Sequence, residues 1–350
     1  MEYFNINPAQ LNQVSRPKNQ YFEQALEFCI EWQNGQTEFV RHTSGSTSEP
    51  KSIKLTRQQI QASIAMTQRA LALNSDFCSL ICLNVNYIAG TMMLARAMEI
   101  GMDMIVVEPS TNPLADIPTD LKIDFAAFVP LQMQTMIEAG LTDRLNNLKV
   151  IIVGGAAVSK TLNTAIHSLS VPVYSTYGMT ETVSHVALQL LNTQNRSEFY
   201  SLLDGILADV DERKCLKICG TVTNNQWLQT NDIVEWQGER IFKIMGRADN
   251  IINSGGIKIQ LEKVENAIGE VWNRVERYYC WWQADEQLGQ ALVLIVESPL
   301  LYFELPLGLD RYLSKYEIPK IVCTIAKFNE TSTSKIDKKA TYEAIKRQNY

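Results

Sequence analysis

A turn rich in hydroxyl side chains separates two strand-like segments near the start of the chain. Its residues are His42, Thr43, Ser44, Gly45, Ser46, Thr47, Ser48, Glu49, Pro50 and Lys51. Glycine lets backbone N–H groups approach an anion closely, hydroxyl groups donate further hydrogen bonds, and lysine supplies positive charge. This combination of residues is typical of a site that binds a triphosphate.

The same segment can be compared with the Walker P-loop, because Gly45 is followed by four residues and then by Pro50, Lys51 and Ser52. Proline has no N–H to donate and its φ angle is fixed, so the usual phosphate nest at the start of a helix cannot form here. The sequence therefore disfavours a Walker ATPase. Taken alone, the segment is equally compatible with a Ser/Thr-rich surface loop.

The elements around this turn predict how it is held. A short strand is predicted over residues 37–41, and Thr56 and Gln59 have the spacing of a capping box that starts a helix. From there to residue 175, continuous apolar strands alternate with helices, which predicts a parallel sheet covered on both faces. Ligands of such sheets bind beyond the carboxyl ends of the strands.

Two predicted strand ends carry unusual residues. The strand over residues 149–153 runs into Gly154, Gly155 and Ala156, and the strand over residues 171–175 runs into the segment 176–182, which contains Tyr177. Small residues allow a flat ring to approach the backbone, and a tyrosine beside a glycine offers a stacking surface. A nucleobase would fit at these strand ends.

Composition limits the classes of protein and of partner. The chain has 350 residues, 46% hydrophobic and 20% charged, with 32 basic and 38 acidic side chains and a formal net charge of −6. This balance is typical of a globular protein and disfavours a nucleic-acid or anionic membrane surface as partner. The N-terminus lacks the pattern of a signal peptide and no apolar run reaches the roughly 20 residues of a membrane span, so a cytoplasmic location is expected.

Seven scattered cysteines and three histidines favour buried thiols over a zinc site. After residue 205 the pattern changes to short strands, and after residue 247 a smaller α+β unit begins. The predicted fold is α/β: a large domain over residues 1–247, with a mainly parallel sheet, helices and a short-stranded β part, and a small α+β C-terminal domain over residues 248–350.

Six segments in register resemble the signature motifs of the adenylate-forming acyl-CoA synthetase superfamily. They are Thr43 to Lys51, Gly154-Gly155-Ala156, Tyr177-Gly178-Met179-Thr180-Glu181, Thr230-Asn231-Asp232, Gly246-Arg247-Ala248-Asp249 and Thr331-Ser332-Thr333-Ser334-Lys335. Any one of these matches is weak, but together they cover essentially the whole chain. Membership of this superfamily is therefore expected.

The resemblance implies a role for each matched residue. ATP would be bound by Thr43, Ser44, Gly45, Ser46, Thr47, Lys51, Gly154, Gly155, Ala156 and Gly178, with Tyr177 stacked on adenine. Asp232 and Arg247 would hold the ribose. Thr180 would contact the α-phosphate and Glu181 would bind Mg²⁺. An isolated aspartate or arginine is more often a solvated surface group, and the ordered set reverses that expectation.

The C-terminal motifs imply catalysis and movement. The lysine that matches Lys335 stabilises the pentavalent α-phosphate in the superfamily, although a lone lysine here would otherwise be a solvated side chain. Asp249 matches the hinge between two domain arrangements. Gly255 and Gly256 would line the path of the CoA thiol, and they are equally compatible with a tight turn.

Three departures from the superfamily pattern stand out. Only 42 residues precede Thr43, so the N-terminal subdomain is expected to be absent or reduced. Asn231 and Ser334 each replace a glycine, which is tolerable where the backbone φ is negative.

The segments over residues 83–90 and 253–258 resemble those of o-succinylbenzoate–CoA ligases of menaquinone biosynthesis. Tyr87 stands where many relatives have histidine. Arg96 interrupts an apolar helix, and because an unpaired buried arginine is costly, it either reaches water or pairs with an anion. Taken alone, the residues favour a side chain that reaches water. If Arg96 pairs with an anion instead, the second carboxylate of o-succinylbenzoate would supply that anion.

The predicted function is that of a two-step ligase, which uses ATP, Mg²⁺ and coenzyme A to convert a small carboxylic acid into its CoA thioester through an acyl-adenylate. The resemblance implies that this acid is o-succinylbenzoate and that the product is o-succinylbenzoyl-CoA. Another aromatic or dicarboxylic acid is the alternative substrate. A degenerate module that binds a nucleotide without turnover is the alternative class, disfavoured by the presence of Glu181 and Lys335. The oligomeric state is not predicted.

Overall fold

The computed structural model describes residues 2–42, 52–115, 117–272, 276–300, 303–331 and 336–348. The strands are β1 (Tyr3–Ile6), β2 (Glu38–His42), β3 (Ser52–Thr56), β4 (Cys78–Ile81), β5 (Asp103–Val107), β6 (Phe125–Phe128), β7 (Val150–Val153), β8 (Val173–Gly178), β9 (His185–Leu190), β10 (Tyr200–Leu202), β11 (Leu207–Val210), β12 (Cys215–Cys219), β13 (Leu228–Trp236), β14 (Ile241–Arg247), β15 (Ile251–Ser254), β16 (Ile257–Gln260), β17 (Tyr278–Asp285), β18 (Gly289–Glu297) and β19 (Ile321–Ile325). The α-helices are α1 (Gln20–Gln33), α2 (Arg57–Leu71), α3 (Ile88–Ile100), α4 (Pro130–Glu138), α5 (Thr142–Asn146), α6 (Lys160–Ile166), α7 (Leu261–Val271) and α8 (Lys338–Gln348).

Within the described residues, twelve strands form one mixed sheet in the order β1-β5-β4-β6-β7-β8-β9-β10-β14-β13-β12-β11. Strands β5, β4, β6, β7 and β8 pair in parallel, as predicted. The predicted short strands after residue 205 continue the same sheet through β9 and β10, two strands that were not predicted from the sequence. Their pairing is antiparallel, which short connections allow.

Helices cover both faces of this sheet. Phe125 and Ala127 of β6 face a core that includes residues of α1, α2 and α3. Ala126 and Phe128 alternate to the opposite face and join a core that includes residues of α4 and α6. Because both faces are buried, these strands are continuous apolar runs, which is why the sequence predicted them.

The smaller sheet has the order β16-β15-β18-β17, with β19 parallel to β18. Leu292 and Leu294 pack in a core with α7, whereas Val293 and Ile295 pack in a core with α8. The larger sheet's final residue is Arg247 and the smaller sheet starts at residue 251. The division into two domains at residue 247 stays a prediction.

The predicted capping box at the start of α2 is present. The Gln59 backbone N–H donates to Thr56 Oγ1 at 3.2 Å, and the Thr56 N–H donates to Gln59 Oε1 at 2.9 Å. Strands β2 and β3, which flank residues 43–51 in the chain, pair antiparallel. In the described ranges, no helix combines the length and apolar character needed to cross a membrane.

Candidate active site

Three of the predicted nucleotide-binding residues contact one another. The Tyr177 hydroxyl donates to Asp232 Oδ2 at 2.6 Å, and Arg247 Nη1 donates to Asp232 Oδ1 at 2.9 Å. Asp232 and Arg247 lie directly opposite each other on β13 and β14. Both oxygens of this carboxylate therefore have partners on two different strands.

The contact between Tyr177 and Asp232 shows how strongly the sheet curls. Strand β13 is four positions from β8 in the strand order, which would separate them by roughly 19 Å in a flat sheet at about 4.8 Å per step. The rings of Tyr200 and Phe242 pack edge-on against Tyr177, with centroids 6.0 and 5.5 Å away, and fill the inner side of the curl. Tyr177 is 8% exposed, and burial together with the Asp232 charge raises its pKa, so the hydroxyl stays a proton donor.

The predicted hinge residue is joined to this cluster. Arg247 Nε and Nη2 donate to the two carboxylate oxygens of Asp249 at 2.9 and 2.8 Å. Asn231 Nδ2 donates to Asp249 Oδ2 at 3.4 Å. The φ angle of Asn231 is not positive, which meets the condition under which an asparagine can replace the glycine of the superfamily motif. Partial burial opposes ionisation of Asp249, but Arg247 holds its pKa below the ordinary value. Asp232 and Asp249 therefore share one guanidinium.

Two of the predicted site glycines are closely packed, Gly154 against a side chain and Gly178 against the backbone. A Cβ on Gly154, at the end of β7, would lie 2.1 Å from Thr176 Oγ1 on β8. A Cβ on Gly178 would lie 2.3 Å from the carbonyl oxygen of Ser184. Any larger residue would push these segments apart. Gly155, with φ +84°, and Ala156 are exposed beyond β7, where the sequence analysis expected the adenine.

Thr180 and Glu181 begin a single 3₁₀ turn, Thr180–Thr182, one residue after β8. Thr180 is half-buried and Glu181 is exposed. The next residue, Val183, is fully buried with φ 67° and ψ −54°, and the Ser184 N–H donates to the Thr182 carbonyl at 2.7 Å. This is a γ-turn centred on a β-branched residue, a conformation that costs about 1–3 kcal/mol. The surrounding packing holds it and turns the chain into β9.

The two predicted substrate residues lie at the start of and within one helix. Tyr87, which is half-buried, directly precedes α3, and Arg96 lies about 14 Å further along the axis. Arg96 is 2% exposed, so the interpretation that its side chain reaches water is wrong. The residues around it on α3 are buried too, and burial lowers its pKa to about 10.

The partners of Arg96 are few. Its Nη2 donates to Ser184 Oγ at 2.7 Å, and Nη1 lies 3.7 Å from Met93 Sδ. Among the described residues, Nε has no hydrogen-bond partner and no carboxylate forms a salt bridge with this guanidinium. Arg96 is thus a buried cation whose charge is not compensated by any carboxylate among the described residues. Ser184 was not predicted from the sequence, and its place two residues after the Thr180–Thr182 turn was the available signal.

Several predicted residues lie outside the described residues. They are the phosphate-loop residues Thr43, Ser44, Gly45, Ser46, Thr47 and Lys51, and the catalytic candidate Lys335. Gly255 and Gly256 form the turn between β15 and β16 with φ angles of +59° and +84°. This agrees with the tight-turn interpretation, and a role in the CoA path stays a prediction.

Metal-ligating side chains do not cluster in the described ranges, where no group of three or more His, Cys, Asp or Glu residues could hold an ion. Glu181, exposed in its turn, is a single carboxylate. One or two carboxylates together with substrate phosphates are a common way of binding Mg²⁺ in proteins. The residues present therefore fit a magnesium ion that arrives with the nucleotide.

Comparison with known proteins defines the class. Residues 9–226, more than half of the chain, match the family described as AMP-binding enzyme. The chain belongs to this family, and the resemblance to the adenylate-forming superfamily is confirmed.

Particular relatives can be named. The chain is 44% identical to an acyl-CoA synthetase (AMP-forming)/AMP-acid ligase II-like protein from Dyadobacter fermentans DSM 18053, across 98% of this chain and 100% of that one, with a TM-score of 0.69. The o-succinylbenzoate coenzyme A synthetase of Bacillus subtilis, solved with ATP and a magnesium ion, has a TM-score of 0.70 at 20% identity and covers 87% of this chain and 69% of its own. These likenesses confirm the predicted fold class.

A curated relative is the 2-succinylbenzoate–CoA ligase of Staphylococcus aureus strain MSSA476, which is 25% identical over 334 residues and 87% of this chain. The chain spans 66% of the length of that ligase.

Proposed function

We propose that the protein is an AMP-forming acid–CoA ligase. In the first step, a carboxylate oxygen of the acid attacks the α-phosphorus of ATP and pyrophosphate leaves, which gives an acyl-adenylate. In the second step, the thiol of coenzyme A attacks the acyl carbon and AMP leaves. The observation that carries the proposal is the contact of Tyr177, Asp232 and Arg247 beside the carboxyl ends of β7 and β8, in a chain of the AMP-binding enzyme family.

The described residues fit the nucleotide. Asp232 and Arg247 offer a carboxylate and a fork of N–H donors, which suit the hydroxyls of a ribose. Gly155 and Ala156 would leave room for a flat base, and Tyr177, on the neighbouring strand β8, would border it. Its ring is largely covered by Tyr200 and Phe242, so adenine would contact the small exposed part.

The phosphates would lie near Thr180 and Glu181. The Thr180 hydroxyl can donate to an α-phosphate oxygen, and the Glu181 carboxylate can bind the Mg²⁺ that neutralises charge on the phosphates. The chemistry requires no protein nucleophile, so catalysis rests on positioning and on charge stabilisation, with Lys335 as the residue that contacts the α-phosphate in the transition state.

In the second step, the thiol of coenzyme A must reach the acyl carbon of the adenylate. Asp249 is proposed as the hinge that exchanges the two domain arrangements, with Gly255 and Gly256 on the path of the thiol. Because Arg247 binds both Asp232 and Asp249, a ribose that draws Arg247 toward itself would loosen the bidentate pair at the hinge.

The proposed acid is o-succinylbenzoate, which would place the enzyme in menaquinone biosynthesis. Support comes from Arg96, whose buried charge lacks a described carboxylate partner and whose bond to Ser184 connects it to the Thr180 to Thr182 turn. A buried cation is costly without an anion, and the acid's second carboxylate would supply one. Tyr87 would border the same acid from the start of α3.

Thioester formation tests this proposal. The protein is incubated with ATP, MgCl₂ and coenzyme A together with o-succinylbenzoate, benzoate or aliphatic acids, and products are identified by mass spectrometry. Thioester from o-succinylbenzoate alone is the expected result. Thioester from other acids alone would overturn the substrate, and nucleotide binding without product from any acid would favour a module that binds without turnover.

A further inference from the structure

A row of hydrogen bonds runs from Arg96 to helix α2. Arg96 Nη2 lies 2.7 Å from Ser184 Oγ, and Ser184 Oγ lies 3.4 Å from His185 Nδ1. On the other side of the imidazole, His185 Nε2 lies 2.9 Å from Thr67 Oγ1, which donates to the Ser63 carbonyl at 3.0 Å. All five residues are buried or half-buried.

The chemistry of the two ends determines the direction of every bond in this row. The Thr67 hydroxyl gives its proton to the Ser63 carbonyl, which can only accept, so Thr67 Oγ1 must accept from His185 Nε2–H. The neutral imidazole then has its lone pair on Nδ1, facing Ser184. Arg96 can only donate, so Ser184 accepts from it and turns its own proton toward His185. Arg96 therefore donates to Ser184, Ser184 to His185, His185 to Thr67, and Thr67 to the Ser63 carbonyl.

His185 is suited to this role because it stays neutral. It is 4% exposed, and burial, assisted by the charge of Arg96, lowers its pKa well below the ordinary value. An imidazolium would carry protons on both nitrogen atoms and could not accept from Ser184. The strained γ-turn at Val183 places the Ser184 hydroxyl between the two side chains.

The other donors of Arg96 have no such partners. Within the described part of the chain, Nε lacks an acceptor, and Nη1 faces the weakly accepting sulfur of Met93. One side of the guanidinium is thus held by the hydrogen-bond row, and the rest of its donors are left for an acceptor from elsewhere.

We propose that His185 is a positioning residue, which through Ser184 orients Arg96 toward the second carboxylate of a dicarboxylic acid. The inference rests on the proposed function, and it identifies a residue that makes the acid site selective for a second negative charge.

Two variants separate this role from simple packing. The side-chain oxygen of His185→Asn can occupy the place of Nδ1 and accept from Ser184, although the bond to Thr67 is lost. The amide nitrogen of His185→Gln can occupy the place of Nε2 and keep the bond to Thr67, although the acceptor for Ser184 is lost. If His185 has only a structural role, the Gln variant should resemble the wild type more closely. If His185 positions Arg96, the Asn variant should keep the KM for the acid closer to the wild-type value.

We expect His185→Gln to raise KM for o-succinylbenzoate about tenfold or more, the equivalent of one hydrogen bond to a charged group, with kcat within about twofold. His185→Asn should stay within about threefold of the wild-type KM, and KM for ATP should not change in either variant. Equal KM values for the two variants, or a parallel rise in KM for ATP, would overturn the proposal.

A second measurement does not depend on activity, so a failure of the proposed function can be told apart from a failure of this inference. The chain has three histidines, which makes ¹⁵N-histidine labelling and assignment practical. At pH 7 the imidazole of His185 should be neutral with the proton on Nε2. A proton on Nδ1, or an imidazolium, would overturn the proposal even if thioester is formed.

Discussion

Replacement of Arg96 by methionine should remove selectivity for a dicarboxylic acid without destabilising the protein. A residue that is buried for structural reasons normally contributes to stability, whereas one that is kept for a ligand carries a cost in the free protein. Arg96 is 2% exposed, with one oxygen partner and no salt bridge among the described residues. Methionine is similar in volume and carries no charge.

The magnitude follows from two opposing terms. Burial lowers the pKa of Arg96 from its ordinary value to about 10, and at about 1.4 kcal/mol per pKa unit the charged form is destabilised by about 3 kcal/mol. Against this, the variant loses a charge-assisted hydrogen bond worth about 1.5–3 kcal/mol. The Ser184 hydroxyl keeps His185 as an acceptor, so it is not left unsatisfied. The free energy of unfolding should therefore be unchanged or raised by up to about 2 kcal/mol.

Urea denaturation followed by tryptophan fluorescence measures this difference as a shift of the midpoint at constant slope. Arg57→Met is the matched control, because Arg57 Nη1 donates to the Trp32 carbonyl at 2.8 Å and its guanidinium lies 4.0 Å from the Trp32 ring centroid. That variant should lose about 1–3 kcal/mol. If Arg96→Met lost as much stability as the control, the reasoning about an uncompensated charge would be refuted.

Three further predictions concern the nucleotide site and the core. Gly178→Ala should lower the urea midpoint by about 2 kcal/mol or more, since its Cβ would meet the Ser184 carbonyl at 2.3 Å, and an unchanged midpoint would contradict this contact. Stability should decrease as the pH falls below about 4, because the pKa of Asp124 is held below its ordinary value: burial would raise it, but the Cys78 N–H and Lys149 stabilise the ionised form. Asp124→Asn should show a flatter acid limb in denaturation measured at several pH values, and an identical limb would count against the assignment. Lys335→Ala should slow adenylate formation about a hundredfold while sparing thioester formation from preformed adenylate, and equal losses in both half-reactions would remove its proposed role.

The parallel centre of the large sheet could be predicted because its strands are buried on both faces. Val150–Val153, for example, is a continuous apolar run that follows a helix, and this pattern depends only on local residues. Strands β9 and β10 could not be predicted in the same way. The first begins with a buried histidine, and the second has three residues and pairs with β14, which lies much further along the chain.

The nucleotide site was predictable as a set of motifs, whereas its internal contacts were not. Asp232 and Arg247 were matched to superfamily motifs, but the sequence does not show that Arg247 also binds Asp249 or that the sheet curls until Tyr177 meets Asp232. The contact of Arg96 with Ser184 joins residues 88 positions apart. Such pairings come from tertiary packing, which local residue patterns do not encode.

The most direct test of the account is acid-dependent exchange between ATP and labelled pyrophosphate, because this reaction reports the first half-reaction without coenzyme A. The wild-type protein should catalyse exchange when o-succinylbenzoate is present and not in its absence. Asp232→Ala, which removes the carboxylate proposed to hold the ribose, should raise KM for ATP by about tenfold to a hundredfold. Exchange that is absent with every acid, or that does not respond to the loss of Asp232, would contradict the proposal that this site activates a carboxylic acid with ATP.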